Sequence, residues 1–251
     1  MIRNIMVRFG LTPLFLLTLS VFNVGADVIS YDFTSQPPGT RLLNPAGGPS
    51  TSISDGVLKI SNAGDPGGFG GFAIGPFDPK TLSALHAQWK SRVGGGGGGG
   101  ADGYSFNIGS DLADDFTGEE GTGTGLSVTV DTFDNGAGLD PGGTGIQIKY
   151  GGAIVAFKAV PKDNDGSGVF LRKDTFVNAE VNVTASGGIS FIYDGIAIAY
   201  QIPAYTGIAY NQINFGGRTG GANDNQWIDL VVSDAGVGRN LVGDGDPIIN
   251  K

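Results

Sequence analysis

The chain has 251 residues, 46 of them glycine and none cysteine, with 24 acidic residues against 15 basic ones. Without cysteine there is no disulfide framework, so burial alone must hold the fold, and the length is sufficient for that. The acidic balance argues against nucleic acid and against anionic membranes as partners.

At the N-terminus, Arg3 and Arg8 stand without any acid ahead of an apolar run from Leu11 to Val21. Val24-Gly25-Ala26 follows, with small residues at its last two positions. This charged, apolar, small-residue order is that of a secretory signal peptide, and the run falls short of the about 20 residues that a membrane span needs. Cleavage is expected after Ala26, with a secreted or periplasmic destination and no membrane insertion. Residues 27–235 are expected to form one β-domain and residues 236–251 a C-terminal tail. Without the leader, 13 basic residues face 24 acidic ones, a net charge of −11. Only Glu119, Glu120 and Glu180 are glutamates, so 21 acids are aspartates. Aspartate favours turns and serves as a hard oxygen ligand, whereas glutamate favours helix.

Period-2 alternation marks the strands in chain order. Val28–Phe33 and Val57–Ile60 come first. In Ala84–Lys90, Leu85, Ala87 and Trp89 share one face and His86, Gln88 and Lys90 the other. Tyr104–Ile108, Leu126–Thr132, Ile146–Tyr150 and Ile154–Val160 follow. The C-terminal half adds Phe176–Thr184, Ile189–Tyr193, Ile196–Ile202, Gln212–Phe215 and Trp227–Ser233. Tyr150-Gly151-Gly152 and Tyr193-Asp194-Gly195 read as tight hairpins. No stretch of ten residues has a helical period, and no repeat of 20–50 residues suggests a propeller or solenoid. About a dozen short strands predict an all-β antiparallel sandwich or jelly roll. The seven consecutive glycines Gly94–Gly100 read as a mobile loop.

One histidine and no cysteine exclude most zinc sites and leave a single imidazole for any catalytic triad. His86, on the polar face of its strand, reads as a solvated or satisfied side chain. The glycine run lacks a following Lys-Ser/Thr and a helix, which argues against a phosphate loop. Asp163-Asn164-Asp165-Gly166 resembles part of a calcium loop, but no glutamate follows at the required offset, so it reads as a turn. What remains is Val128-Thr129-Val130-Asp131-Thr132-Phe133-Asp134-Asn135, then Asp140-Pro141: a strand that ends in an oxygen-rich loop. Asp131, Asn135 and Asp140 could offer side-chain oxygens and Phe133 its carbonyl to a calcium ion.

This segment resembles the metal loop of the legume-type (L-type) lectins, in the concanavalin A-like lectin/glucanase superfamily. Ala101-Asp102-Gly103-Tyr104-Ser105-Phe106 resembles that family's Ala-Asp-Gly segment, and Ile146-Gln147-Ile148-Lys149 the strand after its metal loop. Phe215-Gly216-Gly217-Arg218-Thr219-Gly220 and Trp227-Ile228-Asp229 resemble its final loop and strand. These pieces stand in the family's order over roughly residues 100–233, and related bacterial jelly-roll domains of unassigned role carry the same set. The resemblance implies a concanavalin A-like jelly roll and makes Asp131, Phe133 (through its carbonyl), Asn135 and Asp140 calcium ligands. It implies that Asp102 and Gly103, with Asn135, bind a sugar, and that the Gly220–Asn225 loop, through Asn223 and Asp224, closes the rim. Either Phe133 or Tyr104 could stack on the ligand. The family's Ala-Asp peptide bond is cis; for Ala101-Asp102 the sequence leaves cis or trans open.

The chain departs from the family at Thr129, where the lectins carry a transition-metal glutamate, and no histidine lies near Gly145. A transition metal is therefore not expected. Superfamily glucanases carry Glu-x-Asp-x-Glu; aligned on Asp131, those positions are Thr129 and Phe133, which can supply neither acid nor nucleophile. The expectation is a secreted carbohydrate-binding domain supported by one calcium ion, with a glycan or polysaccharide as partner and no enzymatic activity. Two alternatives stay open: a structural or adhesive sandwich without a small ligand, and a glycoside hydrolase. Acidic surface and strand edges fit either a monomer or an edge-paired dimer.

Overall fold

The computed structural model describes residues 27–96, 99–114, 118–136 and 143–236. Residues 1–26, where a signal peptide is expected, the residues beyond Gly236, and Asp140 lie outside the described residues. In chain order the strands are β1 (Asp27–Tyr31), β2 (Thr40–Leu43), β3 (Ser52–Ser54), β4 (Val57–Ser61), β5 (Gly68–Ile74) and β6 (Lys80–Leu82). Then come β7 (Ala84–Gly94), β8 (Gly103–Gly109), β9 (Leu126–Asp131), β10 (Gly145–Tyr150), β11 (Ala153–Ala159) and β12 (Val177–Val183). The last are β13 (Gly188–Tyr193), β14 (Ile196–Gln201), β15 (Ile208–Tyr210), β16 (Gln212–Thr219) and β17 (Asn225–Gly236).

They form two large antiparallel sheets. The back sheet runs β14-β13-β12-β7-β17-β4-β3, with β1 also on β17; the front sheet runs β11-β10-β9-β8-β16-β5-β2. A small third sheet pairs β15 with β6. The architecture is the expected all-β antiparallel sandwich. Both predicted hairpins form, with Gly151, Gly152, Asp194 and Gly195 all at positive φ, as the twist of tight two-residue turns requires.

The alternation explains the core. Leu85, Ala87, Trp89 and Val93 of β7 point inward and are buried, facing Tyr104, Phe106 and Ile108 of β8 and Phe215 of β16. Trp89 stacks on Phe106 at 5.0 Å and meets Phe215 edge-on at 5.4 Å, offset and T-shaped geometries that aromatic quadrupoles favour. Its indole N–H donates to the Tyr104 hydroxyl, which donates on to Ser91 Oγ. His86 on the outer face stands with Nε2 3.5 Å from Glu180 Oε1, a satisfied surface position as read from sequence.

Several elements differ from expectation. β2, β3, β5, β6 and β15 are strands without a readable alternation. In β5, Gly70 replaces a side chain because a Cβ there would stand 2.6 Å from Thr51 Oγ1 and 2.8 Å from the Ile60 carbonyl. β16 runs on through Gly216 to Thr219. The described flanks of the glycine run are closely packed at Gly94, Gly96 and Gly100, with open space at Gly99. A Cβ at Gly100 would fall on the Arg172 guanidinium, and one at Gly94 would stand 2.5 Å from the Lys173 carbonyl oxygen.

Candidate sugar-binding site

The front sheet turns a polar face away from the core. Register places Ser105 beside Thr129 and Thr129 beside Gln147, and Asn107 beside both Ser127 and Asn214. All six are nonetheless buried, because the segment joining β8 to β9 folds back over them. Ser105 Oγ donates to the Gly118 carbonyl at 2.6 Å and the Thr122 amide donates to Asn107 Oδ1 at 3.1 Å. Lys149 Nζ meets Glu120 Oε2 at 2.7 Å, a pair mostly shielded from solvent.

At the end of this sheet the expected site residues come together. Asp131 closes β9 and Gly103 opens β8 directly opposite it. The Ala101–Asp102 peptide is cis. Its backbone is tied on both sides: the Asp102 amide donates to the Arg218 carbonyl at 2.9 Å, and the Thr132 amide donates to the Asp102 carbonyl at 2.8 Å. Gln226 Nε2 donates to the carbonyls of Ala101 at 3.2 Å and Arg218 at 2.6 Å. Gly103 must be glycine, since its φ is +124° and a Cβ would fall on the Val130 carbonyl.

The loop after β9 turns around a carboxylate. Asp131 Oδ1 accepts the Phe133 amide at 3.0 Å, an Asx turn. Phe133 is 37 % exposed, while Tyr104 is 1 % exposed within the core. Of the two aromatic candidates, only Phe133 presents a surface to a ligand. Asn135 Nδ2 donates to Glu119 Oε1 at 3.2 Å, which leaves the oxygen end of the amide pointing elsewhere.

Two residues that the sequence reading did not assign complete the site. Arg218 places Nε 3.3 Å from Asp102 Oδ2 and Nη1 3.3 Å from Glu119 Oε1, with its guanidinium 5.6 Å from the Phe69 ring centre. Glu119 is fully buried. Burial, reinforced by the Asp102 carboxylate and offset by Arg218, pushes its pKa up to about 7. A signal was available: two of only three glutamates in an aspartate-rich chain stand together at Glu119-Glu120.

The rim loop also reaches the site, since a Cβ at Gly220 would stand 3.8 Å from Asp102 Oδ2. Asp224 faces inward from it, while Asn223 stays half-buried at the surface. Asn223 Oδ1 accepts the Gly64 amide at 2.9 Å. Asp224, fully buried, accepts the Gly96 amide on Oδ1 at 2.7 Å and pairs through Oδ2 with Arg172 Nε at 2.5 Å. That hydrogen bond is the largest cause of the raised Arg172 pKa. The calcium-like turn holds itself: the Gly166 amide donates to Asn164 Oδ1 and the Ser167 amide to Asp165 Oδ1, while Asp163 pairs with Arg172 at 2.6 Å.

A carboxylate, a carboxamide oxygen and a peptide carbonyl are hard oxygen donors, which suit calcium rather than a thiophilic metal. Among the described residues no group of three or more His, Cys, Asp or Glu side chains could hold a metal. The expected ligand set needs no such group, as Asp131 and Asp140 are its only carboxylates. Thr129, where the lectins hold a second metal, lies opposite Gln147 in the ladder.

No family model and no curated protein matches the chain. Solved structures do. The GalNAc complex of a lectin from Bauhinia forficata superposes with a TM-score of 0.63 at 16 % identity, over 84 % of this chain and 98 % of that one. The fold is that of the legume-type, concanavalin A-like lectins. The Ca2+/Man3GlcNAc-bound exoplasmic/lumenal domain of VIP36 aligns with a TM-score of 0.59 at 16 % identity, over 88 % of this chain and 93 % of that one. Peanut lectin aligns with a TM-score of 0.59 at 14 % identity, over 86 % and 100 %. At these identities the likeness is one of fold.

Proposed function

We propose that this legume-lectin-like domain is a secreted carbohydrate-binding module whose site is built on Asp102, Gly103, Phe133 and Asn135. The observation that carries the reading is the convergence of Asp102 and the Asp131–Asn135 loop at one end of the front sheet, beside an exposed aromatic ring. A carboxylate accepts sugar hydroxyls, a carboxamide can both donate and accept, and Phe133 offers an apolar face to the sugar's C–H surface. In this reading the backbone of Gly220 and Gly221 and the amide nitrogen of Asn223 form the rim, and Asp224 holds the rim loop from inside.

Asp131, the Phe133 carbonyl, Asn135 and Asp140 would hold calcium. Bound there, calcium would neutralise buried carboxylate and fix the loop that carries Phe133 and Asn135. Structures of two proteins similar in fold, the VIP36 domain and the Bauhinia lectin, contain mannose-type and GalNAc ligands, which makes these sugars the first to try. A glycan array with and without calcium tests the reading: calcium-dependent binding supports it, and an empty array in both conditions overturns it.

A glycoside hydrolase draws on one observation, the buried Glu119 with its raised pKa beside Asp102, since acid and base carboxyls are commonly driven apart in this way. Full burial keeps Glu119 from reaching a glycosidic oxygen, and the lectin reading is retained. Reducing sugar released from a β-glucan or other polysaccharide would reverse that choice.

A further inference from the structure

Asp102 and Asn135 come from different loops, yet they stand at the two ends of one continuous chain of polar contacts. Asp102 Oδ2 meets Arg218 Nε, Arg218 Nη1 meets Glu119 Oε1, and the same Glu119 oxygen accepts Asn135 Nδ2. The planar guanidinium is suited to this place because its N–H donors diverge in a fixed fork. A lysine ammonium is a single point charge and could not hold two carboxylates at fixed angles.

Glu119 is itself held from both sides. Gly118 before it is hydrogen-bonded to Ser105, and Glu120 after it is ion-paired to Lys149. Ser105 lies on β8 and Lys149 on β10, so the folded-back segment is bolted across three neighbouring strands with Glu119 between the bolts. The Arg218 backbone receives the Asp102 amide, which ties the other end of the chain to β16.

We propose that Glu119 and Arg218 are positioning residues that couple Asp102 to Asn135 and fix the distance between the two sugar-binding groups. Glu119 turns the nitrogen end of the Asn135 amide toward itself, and Arg218 sets the Asp102 carboxylate relative to that amide. This inference rests on the carbohydrate-binding reading for its consequence, but its geometry can be read without any sugar.

The test uses the mature protein and the variants Glu119→Ala, Glu119→Gln and Arg218→Met. The first readout is the side-chain amide resonance of Asn135 in a 15N NMR spectrum, assigned by its disappearance in Asn135→Asp. The second is binding to arrayed mannose- and GalNAc-terminated oligosaccharides, measured well below each variant's melting temperature. Glu119→Ala is expected to move the Asn135 resonance and weaken glycan binding by about tenfold or more, as loss of a residue that orients a ligating side chain does. Glu119→Gln keeps an acceptor oxygen and restores both towards wild type. Arg218→Met, which does not touch Asn135, is expected to move its resonance through Glu119, and it decides the matter if Glu119→Ala does not fold. An unchanged Asn135 resonance in the folded Ala and Met variants overturns the coupling. Wild-type protein that binds no glycan overturns the carbohydrate reading, while the resonance still decides the coupling.

Discussion

Replacing Asp224 with alanine separates a residue that holds the rim from one that touches the ligand. The carboxylate is fully buried, and its two oxygens serve the Arg172 guanidinium and the Gly96 amide. Removing one partner of a buried ion pair costs about 3–5 kcal/mol, because the other charge is left without compensation. Arg172 keeps Asp163, an exposed partner, which places its share at about 3 kcal/mol or somewhat below. The Gly96 amide, deprived of its acceptor, adds about 1 kcal/mol. A total of about 4 kcal/mol lowers the melting temperature of a domain of this size by roughly 8–16 °C. Scanning calorimetry or circular dichroism measures this, with Asp224→Asn as the milder comparison because it keeps an acceptor for Gly96. Glycan affinity at 15 °C should stay close to wild type in Asp224→Asn, which keeps the rim loop tied to the Gly96 amide. A drop in melting temperature of less than about 2 °C, or a loss of glycan binding in a fully folded Asp224→Asn, would refute the reasoning.

Other outcomes follow from the same contacts. Calcium at about a hundredfold above its dissociation constant should stabilise the protein by about 2.7 kcal/mol; Asp131→Ala should abolish the rise in melting temperature, and a wild-type curve unchanged by EDTA contradicts the calcium site. With calcium chelated, Glu119 should make stability pH-dependent. Its pKa rises on folding from an ordinary 4.5 to about 7, so the folded state binds the extra proton between those values and stability falls as pH rises through that window. Glu119→Gln should flatten the pH 4.5–7 slope of the melting temperature, and an equal slope in both proteins refutes the assignment. Gly100→Ala should destabilise by about 1–3 kcal/mol in a denaturant titration, since the new methyl group meets Arg172; a neutral effect would restore the reading of this run as a free loop.

Much of the fold was legible because alternation survives wherever one strand face packs on a core and the other on solvent. β7 shows this best, with Leu85, Ala87 and Trp89 inward and His86, Gln88 and Lys90 outward. β5 was not legible, because the close approach of Thr51 and Ile60 demands glycine where a pattern would need side chains. Asp102, Asp131 and Asn135 could be found from their local motifs, and the fold brings them to one place. The meeting of Glu119 with Arg218 could not, since they lie 99 residues apart and come together only when the β8–β9 segment folds back over the sheet. Asp224 illustrates the opposite limit: its loop position reads as a rim residue, while its side chain turns inward to satisfy Arg172. The glycine run reads as flexible from composition, yet its described flanks are packed for the same reason that glycine is present there.

The most direct test of the account is binding of the chain from Asp27 onward to mannose- and GalNAc-bearing glycans in calcium, compared with Asp102→Ala. The account predicts saturable binding by the wild type and its loss in a variant that remains folded. No binding by the wild type, or undiminished binding by Asp102→Ala, would contradict it.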